Sequence, residues 1–590
     1  MMARKLPKKD VAIVGLGWTG SILAMELAKE GLDIVALERG PMRRTVNDFR
    51  YPENTDELTH AHYFKLMQRP HESTLTMRHS TGQRALPYRR LGSFLPGIGV
   101  GGAGVHWNGQ NWRPEAAELR LRSYVTETFG ADIIPDDMQI QDWGVTYEEL
   151  EPHFDRWERL IGCTGIAGNI KGEIRAGGNP FEAPRSAEYP LPPLPQASAS
   201  RRFHKAAEDM GLHPFPRSGG NASRAYVNEY GMQLGPCTYC GFCEWYGCYN
   251  YSKASPQTCV LDALYQRPNV EVRTEANVMK VELSSDGKTA TGVTYLDENH
   301  EEIFQPADLV LICAFPIHNV HLLLLSGIGE PYDPARGSGV VGRNYAYQMM
   351  GGTDAFFSDA QFKPFVGAGI EGTCVLDYGI EQIDFAREGF IGGSYISVGL
   401  TNGQPIRSMP LPEDTPAWGA EWKQAVGKWY GKALNIGSHG SNMSYRDCYL
   451  DLDPTYRDPF GRPLLRMTFD WKPNDIRMTR FMQRRTEALA QAMESDSFNS
   501  SYKDEDSHYD IRPYQTTHNV GGAVMGTDPA TSVVNRYLQS WDVPNVWVSG
   551  ASAFPQNIQF NPTGAVGALT YWMAEALRDY IRNPRPMMRG

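Results

Sequence analysis

Across residues 10–40 the apolar positions change period twice. Val11, Ile13 and Val14 form a short β-branched run that stops at Gly15. Beyond it the apolar residues recur at helical spacing, and Ile34, Val35 and Leu37 then make a second short run. The pattern predicts strand, glycine turn, helix and strand, a βαβ unit. Further on, "TYEELEPHFDRWERLIG" predicts a helix that Thr146 and Glu149 start with a capping box. The most apolar stretch, residues 307–329, is interrupted by Pro316, His318, Asn319 and His321, which argues against a membrane span.

The 590 residues, 41% apolar and 21% charged, have room for a large core and several domains. The formal net charge of −11, with no basic run, argues against a nucleic-acid partner. The amino terminus lacks the apolar region and small-residue cleavage site of a secretory signal, so the chain is expected to carry none of its own. No internal repeat stands out. A proline-rich stretch from Tyr189 and a polar stretch at 494–510 are candidate boundaries.

The candidate chemistry begins in the front unit. Gly15, Gly17 and Gly20 make G-x-G-x-x-G: a tight turn, room for a pyrophosphate, and close helix packing. Glu38 closes the second strand about twenty residues on, where a carboxylate accepts hydrogen bonds from ribose hydroxyls. The motif predicts a dinucleotide without separating FAD from NAD. A second cluster, "LPGIGVGGAGVHWNGQNWR", sets Gly97, Gly99, Gly101, Gly102 and Gly104 beside His106, Trp107, Asn108 and Trp112, residues costly to scatter over a solvated linker.

Four of the nine cysteines fall in one short loop, 235–256, as Cys237, Cys240, Cys243 and Cys248. A chain of this length needs no disulfide framework. The spacing C-x2-C-x2-C-x4-C is close to the run that wraps an iron–sulfur cluster. Zinc, which favours two separated pairs, and plain thiols or disulfides are the alternatives. Cys163, Cys259, Cys313, Cys374 and Cys448 are scattered and read as small buried hydrophobes.

The front unit and the second glycine cluster together resemble the glucose–methanol–choline (GMC) family of FAD oxidoreductases. So do "LLLLSGIG" from Leu322, "TTHNVGGAVMG" with His518, the strand of "VPNVWVSGASAFP", and Asn561 before a long final helix. The resemblance implies an α/β fold with a discontinuous Rossmann-like FAD-binding domain (1–115, 215–335 and 508–590). A second sheet-and-helix domain for the substrate would fill 116–214 and 336–507. It implies His518 as general base and Asn561 as its partner; many members have histidine at the second position. Flavin contacts are implied at Gly15, Gly17, Gly20, Glu38, Gly101, Gly102, His106, Asn108, Val278, Gly550, Ala551 and Thr563. A "THW" segment in pyranose oxidases, whose histidine bonds covalently to the flavin, is similar to "GVHW" here. His106 therefore either carries such a bond or only packs near the ring.

"GPCTYCGFC", "CYNYSKASP", "NRYLQSWDV" and "GASAFPQ" are similar to the flavoprotein subunits of membrane-associated bacterial sugar and sugar-acid dehydrogenases. That resemblance implies a [3Fe–4S] cluster on Cys237, Cys243 and Cys248, with Cys240 spare, or a [4Fe–4S] centre on all four. It further implies oxidation of D-gluconate to 2-keto-D-gluconate, with electrons passing to a multihaem cytochrome c subunit and quinone. A small third subunit with a twin-arginine signal would carry the chain to the periplasmic face of the inner membrane, and membrane contact would run through the partners. Glucose, fructose, sorbitol or 2-ketogluconate is the alternative substrate. A non-catalytic electron-transfer subunit is the alternative of another class.

Overall fold

The computed structural model describes residues 3–49, 69, 72–89, 92–363, 366–399, 410–500, 502–513 and 515–588. Of the polar stretch at 494–510, Ser501 lies outside them. The front of the chain folds as its pattern predicts. Strand Lys9–Val14 runs into helix Trp18–Ala28 and then strand Ile34–Leu37, and the two strands pair in parallel. Every residue of that helix is buried, because it lies between the sheet and the final helix Thr563–Arg582.

These strands belong to an eight-stranded sheet. The long strand Glu302–Ile312 does two jobs in it. Its first half pairs antiparallel with Ala290–Leu296, itself antiparallel to Asn277–Leu283. Its second half pairs in parallel with Lys9–Val14 and with Val546–Val548. A strand buried on both faces reads as a continuous apolar run. That is why 309–312 is Leu-Val-Leu-Ile and fully inside. The stretch at 307–329 therefore divides into this strand and helix Pro316–Ser326, whose proline stands at the helix start. No described helix is long and apolar enough to cross a membrane.

A second sheet has six antiparallel strands in the order Ser497–Ser500, Met349–Phe356, Ala433–Gly440, Ser394–Val398, Thr373–Val375 and Phe215–Pro216. Side chains alternate across it. Ala355, Leu434, Ile436, Ile396 and Val398 pack on one face against helices Pro473–Ala492 and Ser198–Asp209. The other face is left to Gly352, Asp354, Asn435, Gly437, His439 and Ser397, which line a cavity between the two sheets. Phe215–Pro216 pairs in this second sheet, although the expected boundary put residue 215 with the flavin-binding part.

The predicted helix at 146–162 spans Tyr147–Ile161, and its capping box is present. Glu149 N donates to Thr146 Oγ1 at 3.3 Å, and Thr146 N donates to Glu149 Oε2 at 2.9 Å.

Candidate active site

One cavity of about 1060 Å³ runs from the first glycine turn to the face of the second sheet. At its near end Gly15 has φ of +95°, which a side chain resists, and a Cβ on Gly20 would run into the Gly15 carbonyl. The turn stays tight, and the helix start at Trp18 faces the cavity. Glu38, 7% exposed, accepts from Leu16 N at 3.1 Å and Gly40 N at 2.9 Å. It is thereby fixed against the turn with carboxylate lone pairs left for a ribose. The second glycine cluster closes over the first: Gly101 N donates to Leu16 O at 2.7 Å.

Gly15, Gly17, Glu38, Gly102, His106, Asn108, Val278, Gly550, Ala551, Asn561, Thr563 and His518 all line this one space. Gly20 and Gly101 do not; they pack the turns behind it. The lining fits a flavin dinucleotide. The glycine turn sets no side chain where a pyrophosphate would lie. Trp18 Nε1 and His106 Nε2, buried beside the cavity, have no hydrogen-bond partner among the described residues. Burial, and then the charge of Lys253, push the His106 imidazole down to about 3, so it is neutral.

At the far end the hydrogen bonds define the state of His518. Gln348 donates through Nε2 to the carbonyls of Gln559 (3.4 Å) and Phe560 (3.3 Å), which turns its Oε1 toward the histidine. That oxygen only accepts, so His518 Nδ1, bonded to it, carries the proton. Tyr395 Oη donates to Asn561 Oδ1 at 2.8 Å, so Asn561 presents Nδ2 to His518 Nε2 at 3.2 Å. The lone pair of Nε2 is thus on the cavity side. Burial, and secondarily the neighbouring His439, hold His518 well below the usual histidine range. A hydroxyl entering between the two residues would donate to Nε2 and accept from Nδ2.

His439 stacks on Tyr395 (centroids 5.1 Å apart, planes at 17°), and its Nδ1 meets the same Gln348 Oε1 at 3.4 Å. Burial, then the charge of Arg217, lower it to about 4.

The cysteine loop stands against the flavin end. Glu244 and Trp245 line the cavity, whereas none of the four cysteines does. Trp245 N donates to His106 O at 2.8 Å. The buried Lys253 Nζ donates to Trp107 O and Cys243 O, each at 2.6 Å, to Tyr246 O at 2.7 Å and to Val105 O at 3.2 Å. Tyr239, Trp245 and Tyr251 take positive φ, curling the chain about its sulfurs. N–H groups then point at the sulfurs: Tyr239 N to Cys237 (3.5 Å), Asn221 Nδ2 to Cys243 (3.6 Å) and Lys253 N to Cys248 (3.3 Å). No three of these sulfurs lie within 4.8 Å of one another. A tetrahedral zinc, with Zn–S bonds of about 2.3 Å, would hold its sulfurs about 4 Å apart. No three of the four sulfurs are as close together as a single zinc would hold them.

Gln348, Tyr395, His439 and Arg217 escaped the sequence reading. Only His439 left a signal: in "LNIGSHG" the polar or glycine positions Asn435, Gly437 and His439 alternate with Leu434 and Ile436, the mark of a strand with one open face.

A two-domain flavin fold with a histidine–asparagine pair at the end of the cavity defines an alcohol-oxidising flavoenzyme. Family models described as GMC oxidoreductase match residues 195–350 and 444–570. The chain belongs to the GMC oxidoreductases and is an FAD-dependent enzyme acting on alcohol groups. It is 49% identical over its whole length to the "Gluconate 2-dehydrogenase flavoprotein" of Pantoea cypripedii, covering 97% of that protein. It is 26% identical over 98% of its length to the "2-methyl-1,2-propanediol dehydrogenase" of Mycolicibacterium austroafricanum, covering 96% of it. Among solved structures, pyridoxine 4-oxidase from Mesorbium loti matches 98% of this chain and 100% of its own, with a TM-score of 0.58 at 17% identity, a likeness of fold.

Proposed function

We propose that the protein is the flavin-bearing subunit of a dehydrogenase that oxidises D-gluconate to 2-keto-D-gluconate. Electrons would leave through an iron–sulfur cluster to a multihaem cytochrome c subunit and then quinone. The observation that carries this reading is the 49% identity, over the whole chain, to a gluconate 2-dehydrogenase flavoprotein.

In this mechanism Asn561 Nδ2 donates to the substrate oxygen, and His518 Nε2 takes its hydroxyl proton. Gln348 Oε1 keeps hold of Nδ1–H, so the ring does not turn as it gains charge. Bound FAD, held by the glycine turns, Glu38 and the lining around His106, supplies the acceptor for the carbinol hydride. A positioned base of this kind contributes about 10²–10⁴ in rate. His106 would hold the flavin covalently through its neutral, unpartnered Nε2. Cys237, Cys243 and Cys248, with Cys240 as a fourth, would hold the cluster, which supplies single-electron transfer. The ready-made proton acceptor speaks against a non-catalytic subunit.

The same reading puts the protein at the periplasmic face of the inner membrane. It would cross folded with a small subunit that bears the twin-arginine signal and meet the membrane through its partners. A panel of aldonic acids, sugars and polyols assayed with an artificial electron acceptor tests the substrate. D-Gluconate giving the highest kcat/KM supports it; preference for glucose, fructose, sorbitol or 2-ketogluconate overturns it.

A further inference from the structure

Arg217 follows the strand Phe215–Pro216 at the edge of the second sheet, where its N–H donates to Gly372 O at 3.1 Å. The side chain lies inside, 7% exposed, and lines the cavity. Its Nε is buried with no hydrogen-bond partner, and no carboxylate pairs with the guanidinium among the described residues. A buried charge without a partner is costly, and such groups persist where a ligand completes them.

The space around it is made by glycine. A Cβ on Gly372 would lie 2.6 Å from Arg217 Nε, and one on Gly399 would lie 2.5 Å from Nη2. Either side chain would push the guanidinium from its place. Its charge reaches His439 and Tyr395, the two stacked rings beside His518 and Asn561. The cavity's two other lining lysine and arginine side chains, both half-buried, already have company: Arg39 lies 3.7 Å from the Glu72 carboxylate and 3.3 Å from His318 Nε2, and Lys503 Nζ lies 3.5 Å from Met350 O and 5.7 Å from the Trp471 ring.

We propose that Arg217 is the carboxylate-binding residue of the substrate site, holding the C1 carboxylate of a sugar acid so that the adjacent carbinol lies at His518. The proposal rests on the reading of the substrate as a sugar acid. A guanidinium matches a carboxylate with two parallel N–H···O bonds, and in a buried site this pairing dominates recognition. Gly352 and Gly437, paired across the neighbouring strands, leave the sheet face flat for the rest of the chain of hydroxyls. Asn435, Asp354 and Ser397 are the polar groups around that floor.

The test uses purified holoenzyme and 2-deoxy-D-gluconate, which has the carboxylate but no hydroxyl at the reacting carbon. Binding is followed by the change in flavin absorption, beside turnover of D-gluconate. Arg217→Gln, shown to be folded by its retained flavin, is expected to weaken 2-deoxygluconate binding by about 100-fold, the loss typical of a buried charge pair. Arg217→Lys keeps the charge without the fork and should fall between Gln and wild type; it serves as the informative variant if Gln does not fold. Binding of sorbitol, which has no carboxylate, should be unchanged in either. Wild-type affinity for 2-deoxygluconate in both variants, or its loss in Lys503→Gln alone, overturns the proposal while leaving gluconate oxidation standing. Wild-type protein that turns over no aldonic acid overturns the functional reading, and this proposal with it.

Discussion

Asn561 Nδ2 stands 3.2 Å from His518 Nε2 because the hydroxyl of Tyr395 holds the other end of the Asn561 amide at 2.8 Å. The pair is therefore oriented before substrate arrives. Removing the amide in Asn561→Ala should slow single-turnover flavin reduction about 10–100-fold, the worth of a hydrogen bond to a group gaining charge. Tyr395→Phe keeps the ring stacked on His439 and Phe560 and removes the hydroxyl that orients Asn561 and also lies 3.2 Å from Gln110 Oε1, so a loss of about fivefold is expected. Rapid-mixing measurements on the two variants check both; Tyr395→Phe falling as far as Asn561→Ala would contradict the division of roles.

The acid limb of the rate profile reports His518. Its neutral form is the base, and burial keeps its pKa well below 6.5. Activity should hold as pH falls past 6 and decline only below that. Gln348→Glu places a carboxylate at Nδ1, which favours the imidazolium and should move the acid limb up by about 1–3 pH units. An unchanged limb in that variant would mean that another group controls it.

Cys243 is buried and bound through its carbonyl to Lys253, whereas the reacting hydroxyl is expected at the other end of the cavity. Cys243→Ser should abolish the paramagnetic signal of an oxidised [3Fe–4S] centre and transfer to the cytochrome, yet leave substrate-dependent flavin reduction largely intact. A wild-type protein with zinc and no iron would end the cluster assignment.

Acid denaturation tests His106. Flavin should stay with the wild-type polypeptide and be released from His106→Ala. Free FAD released from the wild-type protein would show that the neutral imidazole only packs beside the ring.

What the sequence disclosed and what it withheld follow from how each part is built. The front βαβ unit was legible because strand, turn, helix and acid lie within 30 contiguous residues and each obeys a local rule. The Thr146–Glu149 cap was legible for the same reason. His518 and Asn561 were found by family pattern, and their neighbours were not. Gln348, Tyr395, His439 and Arg217 come from four segments of a sheet whose strands span residues 215–500, and only strand pairing brings them together. No local spacing marks Arg217 as unpartnered, since that depends on Gly372 and Gly399 across the sheet.

The most direct test of the account is anaerobic mixing of the holoenzyme with D-gluconate, following the visible absorption of the flavin in wild type and His518→Ala. Complete bleaching in the wild type, slowed about 10²–10⁴-fold in a variant that still binds FAD, is the predicted result. Bleaching at the wild-type rate without His518, or none in the wild type, would contradict it.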